Sequence, residues 1–382
     1  MTIHRNIYLF TLFTGFFVVS GVWLALYFFA SQQTSIDVPS PDSSSSINHR
    51  NLPNSLEKEH NSLGMPATAA HLDPPPQQKQ LAGVSQVFQT FNNCGPSSLS
   101  MALSFHGVIA TQEELGQSLR PYQHPTGDND DKSVTLAELA LKAEEYGFKS
   151  YHRPAGNMDL VISFIQHDMP VITRTLLEPD QDIGHYRVIT GFNQNTESLT
   201  QNDSLQGANL EYSYAEFNEL WRAFNYEYLV LVPLDKQDIA EVILGEHQIE
   251  TNAWLDAREL ALSQLEENPS DVYARFNVSV AEYHLGNFNS SISQYELVSD
   301  KLPSRMLWYQ IEPLLAYYAV ADYDSVLKST DTILNSQNRA YSELHYLKSL
   351  LFEAQGLTGQ AQDSRNAAEQ YNSSIYWKHN LP

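Results

Sequence analysis

Between residues 84 and 235 the apolar residues keep helical spacing first and strand alternation afterwards, and that order limits the fold more than any other feature of the chain. Ser97 to Phe105 sets small and apolar residues on a helical period until Gly107 ends it. Thr111-Gln112-Glu113-Glu114-Leu115 opens a second helix, with Thr111 and Glu114 at capping-box positions. Leu136 to Leu141 carries a third, ended near Gly147, and Met158 to Gln166 a fourth. Beyond Pro170 the pattern switches. Residues 170 to 175 and Gly184 to Phe192 read as strands, Tyr214 to Ala223 as a helix with Phe217, Leu220 and Trp221 on one face, and Tyr226 to Val232 as a closing strand. Helices first and strands later predict an α+β domain with a mostly antiparallel sheet.

The first of these helices starts at the only cysteine of the chain, in Gln89-Thr90-Phe91-Asn92-Asn93-Cys94-Gly95-Pro96-Ser97-Ser98. With one cysteine there is no internal disulfide, and clustered-cysteine zinc sites are excluded. Pro96 suits a first helical turn, so the thiol stands beside orphan N–H groups and the positive end of the helix dipole, where the thiolate is favoured. The competing role is that of a small buried hydrophobe. A nucleophilic thiol needs a base, and the base an orienting group. His185 follows Gly184 at the start of an apolar strand, which can aim a polar ring into a cleft. Asp203 comes 18 residues later, enough for the chain to turn and bring back a carboxylate. Gln89, with the backbone N–H of Cys94, can hold an oxyanion. Each of these has a plainer role: His185 as a core histidine, Asp203 in a turn beside Asn202 and Ser204. His106, at the far end of the cysteine helix, and His152 and His167, in polar surroundings, are weaker bases.

Those segments resemble a known family. Gln89 to Leu103 is similar to the nucleophile segment of the bacteriocin-processing, C39-like cysteine peptidases. Gly184 to Phe192 is similar to their histidine strand. Asn202-Asp203, with Tyr212 to Phe217 and Trp221, resembles their aspartate turn and the helix after it. The order Gln, Cys, His, Asp is kept over roughly residues 84 to 235. The resemblance implies a papain-like fold, a cysteine helix packed on an antiparallel sheet. The roles it implies are nucleophile for Cys94, general base and acid for His185, orienting group for Asp203 and oxyanion donor for Gln89. Two departures stand out: Ser204 occupies the position where the family often has proline, and the chain lacks the multi-span region and Walker sequence of the family's exporter-fused members.

The flanks differ in character. Ile7 to Ala30 carries no charge over 24 residues and as a helix reaches about 36 Å, enough for a hydrocarbon core of roughly 30 Å. It reads as an uncleaved transmembrane anchor after a short cytoplasmic N-terminus (1–6), because Phe-Phe-Ala-Ser is a poor cleavage site. Arg5, the only Lys or Arg before it, places the chain beyond residue 30 outside the cytoplasm. Residues 31–83, rich in Ser, Pro and Gln, read as a flexible tether. From 237 to 382 the pattern is helical and recurrent. Pro269 and Pro303 are 34 residues apart, and Gly286, Ala321 and Gly356 follow at intervals of 35. That period predicts an all-α, tetratricopeptide-like array, a holder of partners or a brace for the first domain.

A net charge of −23, from 45 acidic and 22 basic residues, counts against nucleic-acid binding. The expected protein is a single-pass, membrane-anchored, extracytoplasmic cysteine peptidase (84–236) acting on a peptide or protein substrate, with no cofactor or metal needed and a partner surface on its repeats. The alternative is an inactive peptidase-fold scaffold that binds peptides or partners through the repeats. An amidase, transpeptidase or transglutaminase would use the same groups.

Overall fold

The computed structural model describes residues 72–121 and 134–381. The apolar stretch 7–30 and most of the 31–83 tether lie outside the described residues. Within them no helix is long and apolar enough to cross a membrane.

The sheet has seven strands, all paired antiparallel: β1 (Gln78–Gln80), β2 (Lys149–Arg153), β3 (Val171–Leu176), β4 (Gly184–Asn193), β5 (Ser198–Asp203), β6 (Gly207–Ser213) and β7 (Tyr228–Val232). Its order is β2-β7-β3-β4-β5-β6, with β1 on the end of β4. Strand alternation sorts the two faces. Leu229 and Leu231 of β7, with Ile172, Tyr186 and Val188, meet α1 (Cys94–Phe105), α2 (Gln112–Leu119) and α3 (Leu136–Glu144). Tyr228, Val230 and Val232, with Val171 and Ile189, meet α4 (Met158–Gln166), α5 (Tyr214–Trp221) and α6 (Gln237–Leu244). The α+β layout expected from the residue pattern is therefore present.

One expectation needs correction. Gln78–Gln80, inside the stretch read as tether, pairs with β4 through Gln80↔Gly191. Gly191 fits there because a Cβ would stand 2.8 Å from the Lys79 carbonyl. The polar run before Ser204 forms β5, which pairs with both β4 and β6.

The C-terminal region is helical, comprising α7 (Glu250–Glu267), α8 (Val272–His284), α9 (Phe288–Glu296), α10 (Met306–Tyr309), α11 (Glu312–Ala319), α12 (Tyr323–Ser336), α13 (Ser342–Ala354) and α14 (Thr358–Tyr371). It is fastened to the first domain by polar contacts, the first of them buried. Arg120, at the end of α2, places Nη2 3.1 Å from Glu138 of α3 and 2.7 Å from Glu343 of α13. Burial opposes the charge on Arg120, but the two carboxylates outweigh it and hold the guanidinium well above its ordinary range. Arg222 pairs with Asp271 at 2.7 Å, and Asn277 donates to the Arg222 carbonyl at 2.7 Å. Arg305 meets Asp182 at 2.7 Å, in the chain leading to β4. Tyr309 lies over Gly184: a Cβ at 184 would be 3.0 Å from the ring, so a larger residue would press on it. The helical region thus braces the loop that precedes His185.

Candidate active site

Cys94 is the first residue of α1. Asn93 precedes it and accepts from the Ser97 N–H at 2.8 Å, the first hydrogen bond of the helix. Asn92 adopts a left-handed conformation (φ 56°), turning the chain into the helix. Asn93 is buried because Gly116 leaves room: a Cβ there would lie 2.7 Å from its side-chain oxygen. Gln112 of α2 pins the approach. Its Nε2 donates to the Phe88 carbonyl at 2.7 Å, and its Oε1 accepts from the Thr90 N–H at 2.8 Å and from the Ser97 hydroxyl at 3.0 Å.

His185 begins β4, opposite Thr175 of β3. Its Nε2 lies 3.0 Å from Asp203 Oδ1, and the Cys94 side chain hydrogen-bonds the same ring, which leaves Nδ1 for the sulfur. Cys94, His185 and Asp203 are 6%, 2% and 0% exposed, so their charges meet with little water between them. Burial favours the neutral imidazole, but the hydrogen bonds and charges of Asp203 and Cys94 prevail and raise its pKa above the ordinary 6.5. Asp203 is pulled the other way. Burial would raise its pKa, yet the imidazole, the Leu205 N–H and the Arg187 charge bring it down to about 2.

Asp203 is fully engaged. Oδ1 also accepts from the N–H groups of Leu205 (2.7 Å) and Gln206 (3.0 Å). Oδ2 stands 3.2 Å from Arg187 Nε, an ion pair rather than an aligned hydrogen bond. Arg187 is wholly buried, opposite Asp203 across β4 and β5. Its other nitrogens donate to Thr175 Oγ1 and to the carbonyls of Leu176 (2.8 Å) and Leu177 (2.7 Å). The sequence gives a signal for Arg187: two residues after His185 in a strand, it shares the histidine's face.

Gln89 joins the group through Ser204. Its N–H donates to the Ser204 carbonyl at 2.9 Å, and the Ser204 hydroxyl donates to Gln89 Oε1 at 2.7 Å. All four expected residues are therefore linked. The competing histidines are elsewhere: His106 ends α1 packed on Phe105 and Phe148, its pKa lowered to about 4 first by burial and then by Lys236. His152 faces Glu227 at 3.5 Å, and the His167 ring bonds the Ser163 carbonyl. Among the described residues, no group of three or more His, Cys, Asp or Glu side chains is placed to hold a metal ion.

Comparison with known proteins bears on the same part of the chain. Residues 74–229 match the model of the Peptidase_C39 like family. Over this segment the chain is similar to the C39-like peptidases. The match begins before residue 84 and so takes in β1. Among solved structures, a protein described as a C39-like peptidase from Bacillus anthracis aligns at 16% identity and TM-score 0.35, covering 41% of this chain and 98% of its own. The peptidase domain of Streptococcus ComA, a bi-functional ABC transporter involved in a quorum sensing pathway, aligns at 19% identity and TM-score 0.31. That match covers 39% of this chain and 98% of that domain. No curated protein matches the chain.

Proposed function

We propose that the C39-like domain is a cysteine peptidase working through Cys94, His185, Asp203 and Gln89. The observation that carries this reading is the single imidazole held between a thiol at a helix N-terminus and a buried carboxylate. Cys94 Sγ adds to the carbonyl carbon of a peptide bond while its proton rests on His185. The carbonyl oxygen takes up the charge beside the Gln89 carboxamide and the Cys94 N–H. The C–N bond then breaks as His185 protonates the leaving amine. Water attacks the thioester, His185 takes its proton, and the acid product leaves with the thiol restored. Exposed apolar side chains flank the site residues in sequence: Phe88 and Phe91 around Gln89, Ile183 before His185 and Leu205 after Asp203. Such side chains in water favour a peptide ligand with apolar residues.

The test is alkylation. A free thiol with a pKa near about 8.5 is only roughly 1% ionised at pH 6.5, so an activated Cys94 should react far faster than that with iodoacetamide. His185→Ala should slow labelling by about 10- to 100-fold. Equal rates in the two proteins would leave the scaffold reading, with the thiol as a buried hydrophobe.

We also take residues 7–30 as a single-pass anchor, with the domain on the extracytoplasmic side and the helical region, of tetratricopeptide-like period, as brace and partner surface. The anchor predicts that the full chain stays in the membrane pellet through alkaline carbonate and is digested by protease added outside intact cells. Release of the full-length chain by carbonate, or its protection from that protease, would count against it.

A further inference from the structure

We propose that Ser204 is a positioning residue for the acyl-transfer step, holding the Gln89 carboxamide where its NH2 meets the oxyanion. This rests on the peptidase reading above. A glutamine side chain turns about three bonds, so its carboxamide keeps one place only where a hydrogen-bond partner holds it. At Gln89 the Ser204 hydroxyl donates to Oε1 at 2.7 Å, which turns Nε2, the group with protons to give, the other way. The backbone cannot swing to undo this. The Gln89 N–H is bound to the Ser204 carbonyl at 2.9 Å, and Gln86 Nε2 to the Asp203 carbonyl at 2.8 Å. On the far side, Gln112 holds Phe88 and Thr90, the residues on either side of Gln89. Ser204 is itself buried, so water does not compete for its proton. A proline at 204 would keep the carbonyl contact but could not supply the hydroxyl. The dipeptide Asp203-Ser204 therefore orients two groups at once, the base through Asp203 and the oxyanion donor through Ser204.

The donor acts on charge that develops only as the bond forms, so its misplacement lowers kcat and spares KM. Full loss of one oxyanion donor costs roughly 10²- to 10³-fold in kcat. Ser204→Ala leaves the amide free to swing rather than absent, and should cost less, about 5- to 50-fold. KM should stay within about twofold. Ser204→Thr, which keeps the hydroxyl, should recover most of the rate. In a Gln89→Ala background, Ser204→Ala should add almost nothing.

A second readout needs no turnover. A small peptidyl aldehyde adds Cys94 Sγ to its carbonyl carbon, the thiol proton ending on the carbonyl oxygen. That oxygen lies where the oxyanion would, so Ser204→Ala should weaken aldehyde binding as well. Alkylation by iodoacetamide displaces iodide at a saturated carbon and needs no oxyanion donor, so its rate should be unchanged in Ser204→Ala. That rate separates the two proposals. Slow alkylation of the wild type, insensitive to His185, defeats the peptidase reading. Fast alkylation, with kcat and aldehyde binding untouched by Ser204→Ala, overturns the role of Ser204 alone. A loss that Thr does not restore, or that persists in the Gln89→Ala background, also overturns it.

Discussion

Cys94→Ala removes peptide hydrolysis while the protein melts at nearly its usual temperature. The expected loss in kcat is at least about 10³-fold, because thiol, imidazole and carboxylate act as a unit and the residual rate comes only from binding and the oxyanion donors. Little stability should be lost, since Cys94 is a small side chain at the first position of α1 and alanine keeps the helical backbone there. Removing the thiol also removes one of the two partners that keep the His185 pKa raised, so in this variant the ring should titrate lower than in the wild type. The double variant Cys94→Ala, His185→Ala should be no slower than either single one, the signature of groups that work in one step. Hydrolysis of a quenched-fluorescence peptide library, with thermal melting as the control, measures all of this. Activity surviving in a folded Cys94→Ala protein would place the nucleophile elsewhere and end the thiol mechanism.

What the residue pattern made legible is what depends on neighbours in the chain. The capping boxes at Thr111–Glu114, Thr135–Glu138 and Ser213–Glu216 are contacts between residues three apart, and the first had a plain signature in the sequence. The helix over Met158–Gln166 appears with those bounds because its apolar stripe has one period throughout. Polar strands were harder. Ser198–Asp203 lacks apolar alternation because Gln201, Asn202 and Asp203 are buried as polar groups, Asp203 against Arg187 and Asn202 accepting from the Asn209 N–H. Only the tertiary fold supplies those partners, and without them such a run reads as a loop. The short β1 is polar for a related reason: its backbone pairs with β4 while its side chains are largely at the surface. Among the site residues, Cys94 and His185 were marked by helix start and strand start. Ser204 matters through a contact 115 residues away that no local pattern reports, and Arg187, whose place on the histidine's face is readable, through an ion pair across two strands that is not.

Asp203→Asn should cost both activity and fold, because of Arg187. An asparagine in this position has one acceptor and one donor where the carboxylate has two acceptors. With its oxygen toward His185, Leu205 and Gln206, its NH2 points at the buried Arg187 guanidinium, 3.2 Å from the present Oδ2. Turned over, the NH2 meets two backbone N–H groups and the imidazole. Either way donors face donors, and a buried cation loses its counter-charge, which costs about 3–5 kcal/mol. Activity should fall by up to about 10⁴-fold where the amide turns its NH2 to His185, since the imidazole then loses the acceptor that fixes its tautomer. The pH dependence has a defined sign. Asp203 has its pKa lowered from 3.8 to about 2, so its stabilisation is complete above 3.8 and is lost as pH falls through about 2. With the carboxylate 0% exposed, that shift corresponds to about 2 kcal/mol. His185, with its pKa raised, contributes below 6.5 and loses that contribution as pH rises through its higher folded value. The wild type should therefore lose stability on the acid side between about pH 4 and 2, and Asp203→Asn should show a flatter curve there from a lower plateau. Adding Arg187→Met to Asp203→Asn removes the stranded cation and keeps most of its volume, so it should restore stability but not hydrolysis. Urea unfolding at several pH values reads the first effect and peptide turnover the second. If Asp203→Asn were as stable as the wild type at pH 7, Arg187 would not depend on this carboxylate for its charge, and the pairing across β4 and β5 would be incidental to the site.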